Sequence, residues 1–425
     1  MTKAFAPITA LLLSVALLLM GNGLQGTLLP VRANLEAFTD TDIGILGSAY
    51  FGGFAAGCIF GPHLVRRAGH IRCFAALVAI ASCVVLLHSL FLAPALWWGM
   101  RALTGFCFAV LYMVIESWLN EKSTNETRGL VFSLYTIINL TVITIGQLML
   151  GLDQPENFQL FILASILVSL AAVPVAMTRA EAPVPPKSVR IRLRHLYRLS
   201  PVGAVGCLVV GLANGSFWAL APVFAQDKGA STWGVAIFMS VAVIAGALGQ
   251  YPLGRLSDKM DRRKVIIAAA CGAAIAGLLF VLLAPPWGLP LMALIFVFGL
   301  FAFPLYGLSV AHMNDYVAPD GYVEAASGLL LIFALGAVVG PVVASTLTRF
   351  FGPDALFAVT AVTQLSLAGF ALYRMRKRPP APQEEHVAFR ESLNLAQTVS
   401  TVDTLSDEAG EEPASPAGLQ DEALR

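Results

Sequence analysis

Two ionisable side chains, Arg101 and Glu116, fall inside one apolar run at roughly 95–118, Glu116 near its end. A charge within a membrane helix costs about 2.5–3.5 kcal/mol on insertion scales, so each needs a chemical reason. Arg101 lies about six residues from the start of its run, or ~9 Å along a helix. Its guanidinium could bind an anionic ligand, tune a proton site, or snorkel to the surface on its long stem. Glu116 stands ~22 Å further along the same helix, too far to pair with it. The Glu116 carboxyl could exchange a proton with a passing substrate, or pair with basic residues of a loop.

Uncharged polar groups accompany them in other apolar runs. Asn22 and Gln25 share a helix face, as do Tyr135 with Asn139 and Asn214 with Trp218. Together with Tyr112 they would make a polar cavity lining with Trp218 as a stacking surface. Hydrogen bonds that simply tie neighbouring helices are the alternative. The sequence contains no nucleophile–base–acid set, no His, Cys or carboxylate group at metal-ligand spacing, and no Gly-rich nucleotide loop. An enzyme, a cofactor, a metal and ATP as the energy source are therefore not expected. All six cysteines lie in apolar runs and read as small packing residues.

The elements that must position these groups follow from composition. The 425 residues are 57% hydrophobic and only 12% charged, with a mean hydropathy of +0.76. A soluble domain is nearer a quarter charged, so this is an all-α polytopic membrane protein embedded in a lipid bilayer. Apolar runs fall at roughly 3–30, 43–64, 71–92, 95–118, 129–150 and 158–178. Six more follow at roughly 202–225, 233–253, 265–284, 289–313, 325–347 and 355–374. The first resembles a signal peptide but has no small-x-small cleavage site. The domains are thus a six-helix bundle (1–178), a basic amphipathic linker (179–200), a second six-helix bundle (201–375) and an acidic tail (376–425). The tail is rich in Glu, Asp, Ser, Ala and Pro and is expected to be disordered. Lys and Arg concentrate in alternate loops, which predicts both termini in the cytoplasm of a bacterial inner-membrane protein. The basic residues are spread over separate loops and give no nucleic-acid surface.

The densest charge is Gly254–Lys264, read as a short loop between two spans. Asp258 sits at the end of a helix, where the dipole disfavours a carboxylate unless a cation such as Arg262 compensates it. The pattern Gly254-x-Leu256-x-Asp258-x-x-x-Arg262-Arg263 resembles the signature loop of the major facilitator superfamily, with Asp261 where the family has glycine. Leu96-x-x-x-x-Arg101-x-x-x-Gly105 resembles its helix 4 motif. Gly336-x-x-x-Gly340-Pro341 resembles a glycine–proline motif that antiporters carry in helix 5, whose counterpart here lacks the proline. Glu116-Ser117-Trp118-Leu119-Asn120 with Thr127-Arg128-Gly129 resembles the bacterial YcaD-type branch.

An internal repeat supports that resemblance. At an offset of 192, Asn22 meets Asn214, Pro30 meets Pro222 and Gly57 meets Gly249; at 194, Gly105 meets Gly299 and Tyr112 meets Tyr306. Two parallel six-helix halves with the site between them are what the resemblance implies. The first half's version of the signature keeps the glycine as Gly69, but places Arg66 where the second half has Asp258, and Arg72 where it has Lys264. The resemblance then implies an inner gate in which Asp258 meets Arg128 and Arg66 meets Glu324. The expected function is secondary transport of a small molecule by alternating access, with protons as a candidate coupling ion and a monomer as the working unit. Efflux and uptake are both compatible. A transporter-shaped sensor or scaffold signalling through the tail is the alternative.

Overall fold

The computed structural model describes residues 2–123, 127–177, 192–318, 321–380, 386–389 and 392. Among them, twelve helical segments are long and apolar enough to cross a membrane. In the first half these are α1 (Thr2–Leu35), α2 (Asp40–Ala68), α3 (His70–Leu90), α4 (Pro94–Lys122) and α5 (Arg128–Leu148). The sixth is split into α6 (Gln159–Leu170) and α7 (Ala172–Met177). A short helix, α8 (Leu193–Leu199), lies in the linker. The second half has α9 (Pro201–Asp227), α10 (Thr232–Lys259) and α11 (Arg262–Leu283). Its next span is split into α12 (Leu289–Ala302) and α13 (Pro304–Asn314), and α14 (Tyr322–Phe351) and α15 (Ala355–Lys377) complete it. Pro304 explains the split, because it has no N–H to continue the helix.

Helix starts follow local chemistry. Thr39 opens α2 with a capping box to Asp42. Ser231 and Ser200 accept backbone N–H bonds at the starts of α10 and α9. Gly69, between α2 and α3, has φ of +81°, a left-handed backbone that a side chain would strain. Large apolar side chains such as Ile137, Leu282 and Val362 stand exposed around the outside, as a lipid-facing surface requires.

The sequence repeat reappears as repeated packing. A Cβ at Gly105 would lie 1.9 Å from the Tyr50 carbonyl oxygen; one at Gly299 would lie 2.4 Å from that of Ala242. Gly57 stands likewise against the Phe106 carbonyl and Gly249 against that of Leu300. So α2 grips α4 as α10 grips α12, backbone to backbone at small residues. The two halves meet through α2 against α9 and α14, α5 against α10, and α1 against α9. Asn34 donates to Gln226 (3.2 Å) across this seam; the two are 192 positions apart and so are repeat mates.

One end of the bundle carries most of the basic residues and is called here the basic end. The charged stretch 254–264 differs from the loop expected. α10 runs on to Lys259 and α11 starts at Arg262, leaving only Met260 and Asp261 between. Asp261, in the place of the family glycine, caps α11 by accepting from the Arg263 backbone and pairs with its guanidinium (2.8 Å). Burial alone would raise the Asp261 carboxyl; the Arg263 hydrogen bonds and charge outweigh this and hold it below the usual range.

The tail also differs from expectation in one part. Phe389 is buried, and its ring covers Gly254, where a Cβ would meet it at 2.1 Å. The Phe389 N–H donates to Asp258 (2.9 Å), the Val387 N–H donates to Asp315 (3.1 Å), and the Val387 carbonyl accepts from Arg262. Phe389 joins a core with Val265, Leu305 and Ala368. Acidic composition hid this contact; the apolar triplet Val387-Ala388-Phe389 was its only signal. Phe389→Ala should destabilise the protein by about 3 kcal/mol, the cost of a vacated core site. A lower thermal midpoint in detergent would show it; an unchanged midpoint would mean that the segment is merely solvated.

Candidate functional site

A cavity of about 260 Å³ lies between the halves, displaced from the middle toward the end opposite the basic one. Its walls come from α1 (Asn22, Thr27), α2 (Tyr50, Phe51), α4 (Arg101) and α5 (Gln147), and across the seam from α9 (Trp218) and α14 (Phe333). Arg101 is 9% exposed, and its Nη1 has no hydrogen-bond partner. Its guanidinium carbon sits 4.3 Å from the centre of the Tyr50 ring, a cation–π contact that stabilises a charge without neutralising it. Snorkelling is thus not what this side chain does. The Asn22 Oδ1 and Gln147 Oε1 atoms are also buried and unpartnered. Trp218 presents one face to the cavity wall; Phe303 stacks on it at 5.6 Å and 15°. Among the described residues, no carboxylate lines this cavity.

The expected lining therefore divides. Asn22, Arg101 and Trp218 come together in the cavity. Tyr135, Asn139 and Glu116 gather instead toward the basic end, and Tyr112 stands between the two groups, its hydroxyl beside the Asn22 side chain on one side and near Glu116 and Tyr135 on the other. The Tyr135 hydroxyl donates to the Glu116 carboxylate (3.2 Å), and both are buried. Tyr306 of α13, the repeat mate of Tyr112, reaches this cluster from the other half: its hydroxyl is buried, unpartnered, and close enough to feel Glu116 and Cys58. Gln25 is fully buried with neither amide atom partnered, and Asn214 is buried in α9; neither lines the cavity. Helix periodicity placed Gln25 beside Asn22, but three positions turn a side chain far enough to face a different neighbour. Tyr50, Thr27 and Gln147 were missed. Tyr50 is one aromatic among several in its apolar run and Gln147 lies near the end of its own, so spacing singles out neither.

At the basic end, Arg262, Asp258 and Glu324 make contacts within the second half and to the linker and the tail. Arg262 is 1% exposed and binds Asp315 (2.7 Å), Asp258 (3.0 Å) and Ser257 (2.9 Å). Asp258 thus finds its compensating cation four residues on, as its place near a helix end demands. Glu324, at the start of α14, takes a two-pronged contact from Arg192 of the linker (3.0 and 3.1 Å), which raises the Arg192 pKa through that hydrogen bond and charge. Arg192 thus occupies the place expected for Arg66. Arg66 and Arg72 are exposed. The side chain of Arg128, expected opposite Asp258, lies outside the described residues, as do residues 178–191 of the linker and most of the tail. Among the described residues, no group of His, Cys, Asp and Glu could hold a metal.

Comparison with known proteins agrees with this architecture. The model of the Major Facilitator Superfamily matches residues 11–247 and again 203–405. An uncharacterised transporter of that type, YcaD of Escherichia fergusonii, is 28% identical over 84% of this chain and 92% of its own length. The nucleoside transporter NupG superposes with a TM-score of 0.70 at 13% identity, covering 89% of this chain and 100% of that one. A bacterial homologue of the lysosomal transporter Spinster, inward-facing and occupied, gives 0.68 at 16% identity over 89% of this chain and 97% of that one. At such identities the solved structures speak for the fold alone. With a family model spanning most of its length and twelve spans in two repeated halves, the chain is a multi-pass membrane transporter of the Major Facilitator Superfamily.

Proposed function

We propose that the protein is a secondary active transporter of the bacterial inner membrane, which moves a small molecule by alternating access with the central cavity as its binding site. The observation that carries this reading is that the cavity is walled by both halves. A site of that kind changes its exposure when one half rocks against the other. The basic end faces the cytoplasm, since Arg66, Arg67, Arg72, the Arg192–Arg198 segment, Arg262 to Lys264 and Arg374 to Arg378 all lie there. Both chain termini then lie inside.

Coupling falls to Glu116. It is a buried carboxylate hydrogen-bonded by Tyr135, with the unpartnered Tyr306 hydroxyl of the other half nearby. A relative movement of the halves changes the number of hydrogen bonds the carboxylate receives, and so its hold on a proton. Glu116→Gln should abolish the response of transport to a pH gradient in proteoliposomes and leave substrate binding unchanged. Transport by Glu116→Gln that keeps its full pH response would contradict the coupling role.

A further inference from the structure

We infer that the molecule carried in the central cavity is a small organic monoanion: a carboxylate with an apolar body and a hydroxyl or N–H donor. This rests on reading the cavity as the transport site.

Four observations converge on that class. The first is charge. Among the described residues lining the cavity, Arg101 is the one ionised group, and no carboxylate faces it there. A buried guanidinium without a counter-ion is costly, and a ligand anion relieves that cost where a neutral or cationic ligand does not. The second is the free donor. Nη1 is buried and unpartnered, while the Tyr50 ring covers the guanidinium from its face without consuming an N–H. The planar fork keeps its direction for a carboxylate oxygen.

The third observation is the pair of unpartnered amide oxygens. Asn22 Oδ1 and Gln147 Oε1 both belong to lining residues and both accept only. They repel a second anionic group and call for a donor on the ligand. This argues against dicarboxylates and phosphates, whose further charge would meet no second cation. The fourth is size and surface. About 260 Å³ walled by Phe51, Phe333 and Trp218 holds a ring or a short branched chain, and leaves an inorganic anion without contact to most of the wall.

Matched pairs of carboxylate and amide, alike in shape and different in charge and each carrying a hydroxyl, test this: 4-hydroxybenzoate with 4-hydroxybenzamide, mandelate with mandelamide, lactate with lactamide. Each is added to the full-length protein in detergent. The shift in thermal midpoint and the quenching of tryptophan fluorescence are read across a concentration series. At least one carboxylate should bind, its amide should bind about 10- to 100-fold more weakly, and Arg101→Gln should remove that preference, the worth of one hydrogen bond to a charged group. Chloride at equal ionic strength should give no shift. Arg101→Lys, which keeps the charge but loses the fork, should retain part of the preference and shows that loss in the glutamine variant is not a folding defect.

Amides or amines that bind as tightly as the carboxylates, with binding lost in Trp218→Ala, would overturn the anion class while leaving the cavity as the site. Carboxylate binding that persists in both Arg101→Gln and Trp218→Ala would overturn the cavity reading and the anion class together, as would the absence of binding by every member of the panel.

Discussion

Arg101→Ala should abolish transport of the bound carboxylate and leave a folded protein. The side chain is buried in α4, touches Tyr50 by its face, and keeps Nη1 unpartnered. Truncation breaks no hydrogen bond recorded for the guanidinium, and it removes a charge that the membrane interior disfavours. The fold should therefore be as stable as before, or more so. The ligand loses a charge-assisted hydrogen bond of about 1.5–3 kcal/mol, equivalent to roughly 10- to 150-fold in affinity. Initial rates in proteoliposomes, with the thermal midpoint as a control, separate the two effects. A variant that transports at the wild-type rate would remove Arg101 from the site. A variant that fails to fold would assign it a structural role.

Gly105→Val should prevent assembly of the first half. The new side chain would begin 1.9 Å from the Tyr50 carbonyl oxygen, and a Cβ at Gly53 would lie just as close to the Ala102 carbonyl oxygen, at 1.8 Å. Both obstructions are backbone, so relief comes only from parting α2 and α4. Overpacking of a rigid contact costs about 1–3 kcal/mol and sometimes more. Here it also separates Tyr50 from Arg101, which α2 and α4 carry. Gly99→Val is the matched control: it lies on the same helix with open space around it. Recovery of monodisperse protein and its thermal midpoint should fall for Gly105→Val and hold for Gly99→Val. Equal behaviour of the two would mean that the helices are not locked at this contact.

These expectations show what a sequence of this kind discloses. The twelve spans were legible, because a bilayer demands about twenty apolar residues at a stretch and the chain supplies them twelve times. The repeat was legible at Gly57, Gly105, Gly249 and Gly299, and each pair makes the same contact in its own half. Arg101 was legible because a charge in an apolar helix has few innocent explanations.

What did not show was the pairing between helices. Spacing says that Tyr135 and Asn139 share a face; it does not say that the face meets Glu116 rather than the cavity. Nor does it tell that Gln25 turns away from Asn22's cavity. Arg192 holds Glu324 from a segment whose composition shows only a basic amphipathic linker. Phe389 lies over Gly254 from a stretch whose composition suggested only solvent. In each case the deciding contact joins residues far apart in sequence, and local periodicity carries no information about them.

The central claim, that two rigid halves rock about the cavity, is tested most directly by distances between spin labels. One pair, at Glu156 and Pro286, spans the end opposite the basic one; another, at Arg67 and Lys259, spans the basic end. All four positions are exposed and lie in different halves within each pair. With the six native cysteines replaced, each pair should give two populations of distances. Adding the carboxylate that binds, or changing pH, should shift the two ends in opposite directions. A single, unchanging distribution at both ends, with ligand bound, would contradict alternating access by this protein.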